Sequence, residues 1–408
     1  MTSRRIFLKD GGLAVLGLSM VPGFVYRTAM AAKPTLGRKK TLVTIFQRGG
    51  ADGLNLVVPF GEKDYYTYRP SIAIPAPSSD RVSALDLDGF FGLHPSMEAL
   101  LPLYKSGELA IVHATGSPHP TRSHFEAQAF MESAAPGDKT IADGWLNRYL
   151  YHNPDPAMTA FRGVSVGPLL PRTLRGRAPA LALGNLMASE KTSALSMYES
   201  MYDEDSNALL SGTSREMFDA IARLKEVNPS QYEPSEGARY PNGVFGRNWR
   251  QVAQLIKADL GLEVAFVDVG GWDTHSNQEE RFSIVLTRFS QALAAFHKDL
   301  GDRMEDVLVM TMSEFGRTAR ENGNAGTDHG KANVMFLLGG SVEGGKVYGD
   351  WPGLAREQLN EDRDLTMTTD FRDVFGEVMA RHLKCENPDI VFGDFALDPD
   401  RFRGFLYG

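Results

Sequence analysis

Residues 41–53 read TLVTIFQRGGADG. Several later segments have the same arrangement, an apolar run of strand length followed by polar residues. The run 41–46 is short, apolar and rich in β-branched side chains, which is typical of a strand that is buried on both faces. It ends in a glycine-rich turn that carries Asp52. In open parallel sheets, ligands bind at the carboxyl ends of the strands, so this turn is a candidate part of a functional site.

Further apolar runs of strand length lie at 109–114, 264–269, 307–312 and 334–338. Helical patterns lie at 123–131, 245–260, 282–300 and 371–379. Because strands alternate with helices, we predict an α/β fold with a doubly wound, mostly parallel sheet that helices cover on both faces. This domain extends over about 40–405, and we interpret 140–243 as an insertion or a helical or mixed cap over the main sheet.

The first residues of the chain have the pattern of a signal peptide for export. Arg4 and Arg5 precede a weakly apolar run, 11–26, which is followed by a small-residue cleavage pattern. We therefore predict a twin-arginine signal peptide over 1–31, cleavage after Ala31, and a periplasmic location with the twin-arginine export machinery as a partner. The apolar run is too short to span a membrane, and no later run approaches that length.

Composition narrows the classes of function. The 408-residue chain is 42% hydrophobic and 23% charged, with a formal net charge of −8. It has no basic stripe, so nucleic acid is not a predicted partner. The only cysteine is Cys385, which excludes an intrachain disulfide. The turn at 49–50 lacks the dinucleotide-binding fingerprint, which disfavours a nucleotide cofactor. No serine lies in a nucleophile elbow, which disfavours an ordinary esterase.

Carboxylate, hydroxyl and imidazole groups follow several of the predicted strands. These residues are Asp52, Ser123 with His124, Asp273 with His275, and Glu314, while Asp328 and His329 come just before a strand. Because the carboxyl ends of parallel strands share one edge of a sheet, we expect these side chains to converge.

Their types suit one or two divalent cations such as zinc, manganese or iron. Asp273 and His275 offer two ligands from one turn, and Asp328 and His329 offer two more. A pair of metals about 3.5–4 Å apart could clamp the oxygens of an in-line displacement. Ser123, at a predicted helix N-terminus, is a candidate nucleophile that would meet an anion at the positive end of the helix.

Each of these residues also has a structural interpretation. Ser123 fits an N-cap with Glu126 as its capping-box partner, and Asp52 fits a simple turn. Hydrogen bonds within the fold are the alternative role for His119, His124, His275 and His329.

Five motifs together resemble a bacterial family of twin-arginine-exported proteins that carry a domain of unknown function. The motifs are Arg48-Gly-Gly-Ala-Asp52-Gly-Leu-Asn55, Arg122-Ser123-His124-Phe125-Glu-Ala-Gln128, Trp272-Asp273-Thr-His275, Ser313-Glu314-Phe-Gly-Arg317 and Thr327-Asp328-His329-Gly330. The family is grouped with the alkaline-phosphatase-like and sulfatase-like superfamily, and the resemblance covers nearly the whole mature chain.

The resemblance implies a metal site for phosphate or sulfate esters. It implies that Asp52 is a metal-bridging acid, that Ser123 is the nucleophile, and that Asp273, His275 and His329 bind one metal. Glu314 stands where the superfamily usually places an Asp-His pair, and the spacing from Asp273 to His275 is shorter than usual. A single-metal enzyme and a non-catalytic protein therefore both remain open.

These observations lead to one leading hypothesis and one alternative. The leading hypothesis is a periplasmic, metal-dependent hydrolase of phosphate or sulfate esters that acts on an anionic small molecule or glycan ester. Ser123 would attack, and Arg317 or Lys331 would hold the anion. The alternative is a metal-stabilised envelope or surface protein that binds an anionic ligand without turnover.

Overall fold

A computed structural model of the chain describes residues 38–155, 160–184 and 232–407. The strands are β1 (Thr41–Gln47), β2 (Val57–Val58), β3 (Leu85–Asp86), β4 (Gly92–Leu93), β5 (Leu109–Gly116), β6 (Gly163–Val166), β7 (Leu181–Leu183), β8 (Val264–Val269), β9 (Val307–Met312), β10 (Asn333–Gly339), β11 (Val347–Tyr348) and β12 (Thr369–Asp370). The α-helices are α1 (Gly53–Leu56), α2 (Lys63–Tyr68), α3 (Leu101–Lys105), α4 (His124–Ser133), α5 (Trp145–His152), α6 (Val244–Lys257), α7 (Gln278–Leu300) and α8 (Phe371–Glu377).

Nine strands form the main sheet, in the order β11-β5-β10-β9-β1-β8-β6-β7, with β12 also paired to β5. The five strands from β9 to β7 in this order are mutually parallel. Strand β10 is antiparallel to both β9 and β5, so β5 runs in the same direction as β1. The carboxyl ends of β1, β5, β8 and β9 therefore share one edge of the sheet with the start of β10.

Apolar side chains pack on both faces of this sheet. Along β1, Val43 and Ile45 belong to one buried cluster, and Leu42 and Phe46 belong to another, as the two-residue period of a strand requires. Helices α6 and α7 supply the first cluster with aromatic side chains, and α5 and α8 supply the second. The predicted α/β class with a mostly parallel, doubly wound sheet is confirmed.

Part of the segment 140–243, which was predicted as an insertion or cap, extends the main sheet. Strands β6 and β7 do not lie above the sheet but extend it, because β6 pairs in parallel with β8 and β7 pairs in parallel with β6. Both strands are buried throughout, so their apolar residues belong to the main core. Residues 156–159 and 185–231 lie outside the described residues, and a cap formed by them stays a prediction.

The predicted signal peptide, with Arg4, Arg5 and the cleavage point after Ala31, also lies outside the described residues. Within the part of the chain that the structure describes, no helix is both long enough and apolar enough to cross a membrane. Cys385 is buried and forms no disulfide with a described residue.

Candidate metal centre

Three segments at the carboxyl edge of the sheet bring imidazole and carboxylate groups together. His124 follows β5, Asp273 and His275 follow β8, and His329 precedes the antiparallel strand β10. One ligand atom from each of His124, Asp273 and His329 lies within 4.8 Å of the other two. We call His124, Asp273, His275 and His329 the ligand cluster.

Two glycines allow these loops to approach each other. Gly49 has a φ of +125°, and a Cβ added there would lie 2.5 Å from the backbone nitrogen of Asp273. A Cβ on Gly326 would lie 2.4 Å from the carbonyl carbon of His275. Because side-chain carbon cannot fit at either position, glycine is what lets the turn after β1 and the loop before β10 contact the loop after β8.

Each imidazole of the ligand cluster is held through its Nδ1 atom by an oxygen acceptor. The contacts are His124 Nδ1 to Glu314 Oε1 at 2.8 Å, His275 Nδ1 to Asp328 Oδ1 at 3.0 Å, and His329 Nδ1 to the Arg122 carbonyl oxygen at 2.9 Å. An acceptor at Nδ1 selects the tautomer that carries its hydrogen there and leaves the lone pair on Nε2. This is the way in which outer groups orient the histidine ligands of a metal.

The Nε2 atoms lie around the Asp273 carboxylate at ligand-to-ligand distances. His275 Nε2 is 3.0 Å from Asp273 Oδ1 and 3.0 Å from His329 Nε2. His329 Nε2 is 3.4 Å from Asp273 Oδ1, and His124 Nε2 is 3.6 Å from Asp273 Oδ2. Ligands about 2.1 Å from a tetrahedral ion are about 3.4 Å from one another, so these spacings fit a divalent cation.

His124 carries the most specific indication of a missing partner. Its Nε2 atom is buried and has no hydrogen-bond partner among the described residues. Its ring lies 4.3 Å from the His329 ring and 4.9 Å from the Phe315 ring, so it cannot turn away freely. A buried lone pair without a donor is costly, and a bound cation would satisfy it.

Glu314 orients His124 and lies outside the ligand cluster. Its side chain is fully buried, and Oε1 accepts hydrogen bonds from His124, the Gly49 amide at 2.9 Å and Gln128 at 2.8 Å. Burial alone would raise the pKa of Glu314, but the hydrogen bonds from His124 and Gln128 outweigh it and lower the pKa. The same hydrogen bond raises the pKa of His124.

Arg317, predicted to hold a substrate anion, instead holds the site together. Its side chain is 0% exposed, and it donates to Asp273 Oδ1 at 2.6 Å. Its remaining hydrogen bonds go to backbone carbonyl oxygens of Gly49, Gly50, Trp272 and Thr327. Burial would raise the pKa of Asp273, but the Arg317 guanidinium outweighs it and lowers the pKa.

Asp52 lies beneath the ligand cluster. It is fully buried, and its two oxygens receive hydrogen bonds from Arg69 at 2.6 and 2.9 Å and from Gln278 at 2.6 Å. The amide oxygen of Gln278 accepts from the hydroxyls of Thr274 at 2.9 Å and Thr327 at 2.8 Å, one from each ligand loop. These contacts differ from the metal-bridging position that the resemblance implies, and they make Asp52 an anchor for both loops.

Ser123 is the N-cap residue of α4 and is exposed. Its hydroxyl makes no capping hydrogen bond, and Glu126 instead accepts from Thr121 and Lys139. The alternative of a capping box is therefore not found. Ser123 directly precedes His124 of the ligand cluster, and its hydroxyl does not cap the helix.

The structure thus brings together His275, Asp328, Glu314, Asp273 and His329 from the sequence prediction. It also places His124, which the sequence analysis expected at this edge but did not assign to the metal, among the possible ligands.

The chain belongs to the family described as protein of unknown function (DUF1501), which matches residues 39–391. No curated protein matches it. Among solved structures, the zinc complex of the C-terminal periplasmic domain of EcEptC from Escherichia coli has a TM-score of 0.35 and 10% identity, covering 76% of this chain and 74% of that one. The sulfatase PsFucS1 from Pseudoalteromonas sp. gives 0.36 and 12%, covering 84% and 68%. The phosphonate monoester hydrolase of Agrobacterium radiobacter gives 0.32 and 10%, covering 83% and 73%.

Proposed function

We propose that this protein is a hydrolase of phosphate or sulfate esters that depends on one divalent cation. Nε2 of His124, Nε2 of His329 and the Asp273 carboxylate are the proposed ligands. Three protein ligands leave a fourth position for water or substrate, which is the arrangement of catalytic rather than structural sites. The observation that carries the proposal is the buried Nε2 of His124, which faces Asp273 without a hydrogen-bond partner.

The charge and exposure of the ligand cluster favour an anionic substrate. Two neutral imidazoles and one carboxylate bring a charge of −1, so a divalent cation would leave the centre positive. The side chains of Asp273 and His275 are 48% and 42% exposed, so a substrate can reach them from solvent. A cation held here would supply Lewis-acid polarisation of a phosphoryl or sulfuryl oxygen.

Ser123 remains the candidate nucleophile. Attack by its hydroxyl oxygen would form a bond to phosphorus or sulfur, release the alcohol of the ester, and leave an ester on Ser123 that water then hydrolyses. His275, whose Nδ1 is held by Asp328, is the candidate group for moving the proton. The exposed and uncapped hydroxyl of Ser123 supports this assignment.

The alternative is a non-catalytic binding protein, and one observation favours it. Nε2 of His275 lies 3.0 Å from both His329 Nε2 and Asp273 Oδ1, which is close enough to be a fourth ligand. Four protein ligands would fill the coordination shell of the cation and leave no position for water or substrate, as in structural metal sites.

One set of variants tests the function and separates the alternatives. Protein purified without a histidine tag is analysed for metals and assayed with 4-nitrophenyl phosphate and sulfate, beside His329→Ala and His275→Ala. We expect about one equivalent of metal and measurable hydrolysis in the wild type, and loss of both in His329→Ala. If His275 moves protons, His275→Ala keeps its metal and loses most of its turnover, but if it closes the shell, metal affinity falls by about 100-fold or more. Wild-type protein without metal would overturn the proposal.

The proposed location is the periplasm, reached through the twin-arginine machinery. It is supported by Arg4 and Arg5 and by the small residues that end at Ala31. Replacement of both arginines by lysine should leave uncleaved precursor in the cytoplasm, and normal periplasmic protein from that variant would contradict this location.

A further inference from the structure

One side of helix α4 carries a row of polar side chains that begins at the ligand cluster. His124, Gln128 and Glu132 are four residues apart, so they follow one another along the same side of the helix. His124 Nδ1 and Gln128 Nε2 both contact Glu314 Oε1 at 2.8 Å. Gln128 therefore binds the same carboxylate oxygen that orients His124.

Arg48, in the turn after β1, lies at the other end of the Gln128 amide. Its Nη1 atom donates to Gln128 Oε1 at 3.1 Å and to Glu132 Oε1 at 2.8 Å, and its Nε atom donates to Asp268 Oδ1 at 2.6 Å. The guanidinium carbon also lies 4.1 Å from the centre of the Phe46 ring. Two carboxylates and an aromatic ring thus fix the position of the group that faces the Gln128 oxygen.

Only one orientation of the Gln128 amide satisfies both of its neighbours. Its oxygen accepts from the guanidinium of Arg48, and its nitrogen donates to the carboxylate of Glu314. A flipped amide would place donor against donor at Arg48 and acceptor against acceptor at Glu314, and both contacts would be repulsive. Arg48 therefore favours the orientation in which Glu314 receives a hydrogen bond from Gln128.

We propose that Gln128 is a positioning residue for the metal centre and that Arg48 sets the direction of its amide. With Gln128 in place, Glu314 Oε1 is held on one side by a fixed donor and accepts from His124 on the other. That position directs His124 Nε2 toward Asp273 Oδ2, which is 3.6 Å away. The inference rests on the proposed function, because it gives both residues a role toward the proposed cation.

Zinc affinity and the spectrum of bound cobalt(II) test the role of Gln128 without any turnover. Full-length protein is compared with Gln128→Met, which keeps the length of the side chain and removes its hydrogen bonds. We expect chelator competition to show about a tenfold loss of zinc affinity, the lower end of the range for outer groups of a metal site. The visible absorption of cobalt(II) depends on ligand geometry, so it should change as well. A variant that was only less stable would keep the wild-type spectrum.

Two further variants guard this measurement. Gln291→Met, at an exposed position of α7, is the matched control and should equal the wild type in both readouts. If Gln128→Met does not fold, Gln128→Asn replaces it with the same expectation, because the shorter side chain withdraws the donor from Glu314.

A double-mutant cycle tests whether Arg48 acts through Gln128. Arg48→Lys keeps the positive charge but lacks the forked donors that reach Gln128, Glu132 and Asp268 together. We expect it to weaken zinc binding by about twofold or more in the wild-type background, the lower end of coupling between residues in contact. In the Gln128→Met background, it should have no further effect.

Normal zinc affinity or an unchanged cobalt(II) spectrum in Gln128→Met would overturn the inference. Losses that multiply in the double variant would also overturn it, because Arg48 would then act by a separate route. If the wild type bound neither zinc nor cobalt(II), the proposed function would fail together with the inference. A wild type that binds metal, beside a Gln128→Met variant that binds it equally well, would contradict the inference alone.

Discussion

At the scale of single residues, the tautomers of three histidines define the centre. An imidazole whose Nδ1 donates to a fixed oxygen offers Nε2 as a ligand with no rearrangement. Glu314, Asp328 and the Arg122 carbonyl supply those oxygens. Glu314 does so as a buried anion, which makes His124 more basic. Among these three outer groups, the loss of Glu314 should therefore weaken metal binding most.

Replacement of Glu314 by glutamine should therefore weaken metal binding while the fold is kept. The amide oxygen can still accept from His124, but the negative charge that supports the ligand is lost. Loss of an outer partner of this kind typically costs about 10–100-fold in metal affinity. Competition with a chelator measures the affinity, and Glu98→Gln, an exposed glutamate, is the matched control. Equal affinity in the two variants would show that Glu314 does not tune the site.

The residue types of the ligand cluster could be predicted from the sequence, but the direction of each side chain could not. Asp273 and His275 directly follow a predicted strand, so their position at its carboxyl end followed from the strand pattern. Asp52 also follows a strand, yet its oxygens turn inward because Arg69 supplies a buried guanidinium. Nothing in the local sequence of Asp52 reveals that partner.

At the scale of elements, the antiparallel strand β10 is what joins His329 to the other ligands. In a purely parallel arrangement, the loop before a strand would lie at the opposite edge from the loops after β8 and β9. Because β10 is reversed, the loop before it meets them, and the isolated bridge between Arg317 and His329 ties the two loops. The sequence located this loop but could not give the strand direction, since an apolar run has the same pattern in either orientation.

Helix α8 carries a carboxylate that works against stability near neutral pH. Asp373 is 5% exposed, its Oδ1 has no hydrogen-bond partner among the described residues, and Arg401 Nε lies 3.6 Å away. Burial raises the pKa of Asp373 from 3.8 to about 6. The folded state therefore binds this proton more tightly than the unfolded state, so the free energy of unfolding falls as the pH rises from about 4 to 6.

Asp373→Asn should consequently be more stable than the wild type at pH 8, by about 2 kcal/mol, because the amide carries no charge to bury. The gain should shrink toward zero as the pH falls to about 4, where Asp373 is protonated in both states. Urea unfolding across this pH range measures the difference, with the exposed Asp394→Asn as the control. A gain that does not change with pH would mean that packing, and not titration, is responsible.

At the scale of the whole molecule, the ligand cluster connects segments that are far apart in the chain. His124 follows β5, Asp273 follows β8 and His329 precedes β10, so one ion would bind three loops of the central sheet at once. Asp52 and Gln278 hold two of these loops, those of Asp273 and His329, through Thr274 and Thr327. A cation bound only by the native arrangement would therefore stabilise the whole fold.

Removal of the metal should lower the melting temperature of the protein. A ligand present at 1,000 times its dissociation constant stabilises the native state by about 4 kcal/mol, which for a domain of this size corresponds to a shift on the order of 5 °C. Differential scanning calorimetry of chelated and zinc-restored protein measures this shift. His329→Ala serves as the comparison, because a protein that has lost a ligand should melt at the lower temperature and respond to neither treatment. Equal melting temperatures for chelated and restored wild-type protein would mean that no native-state cation is held by the ligand cluster.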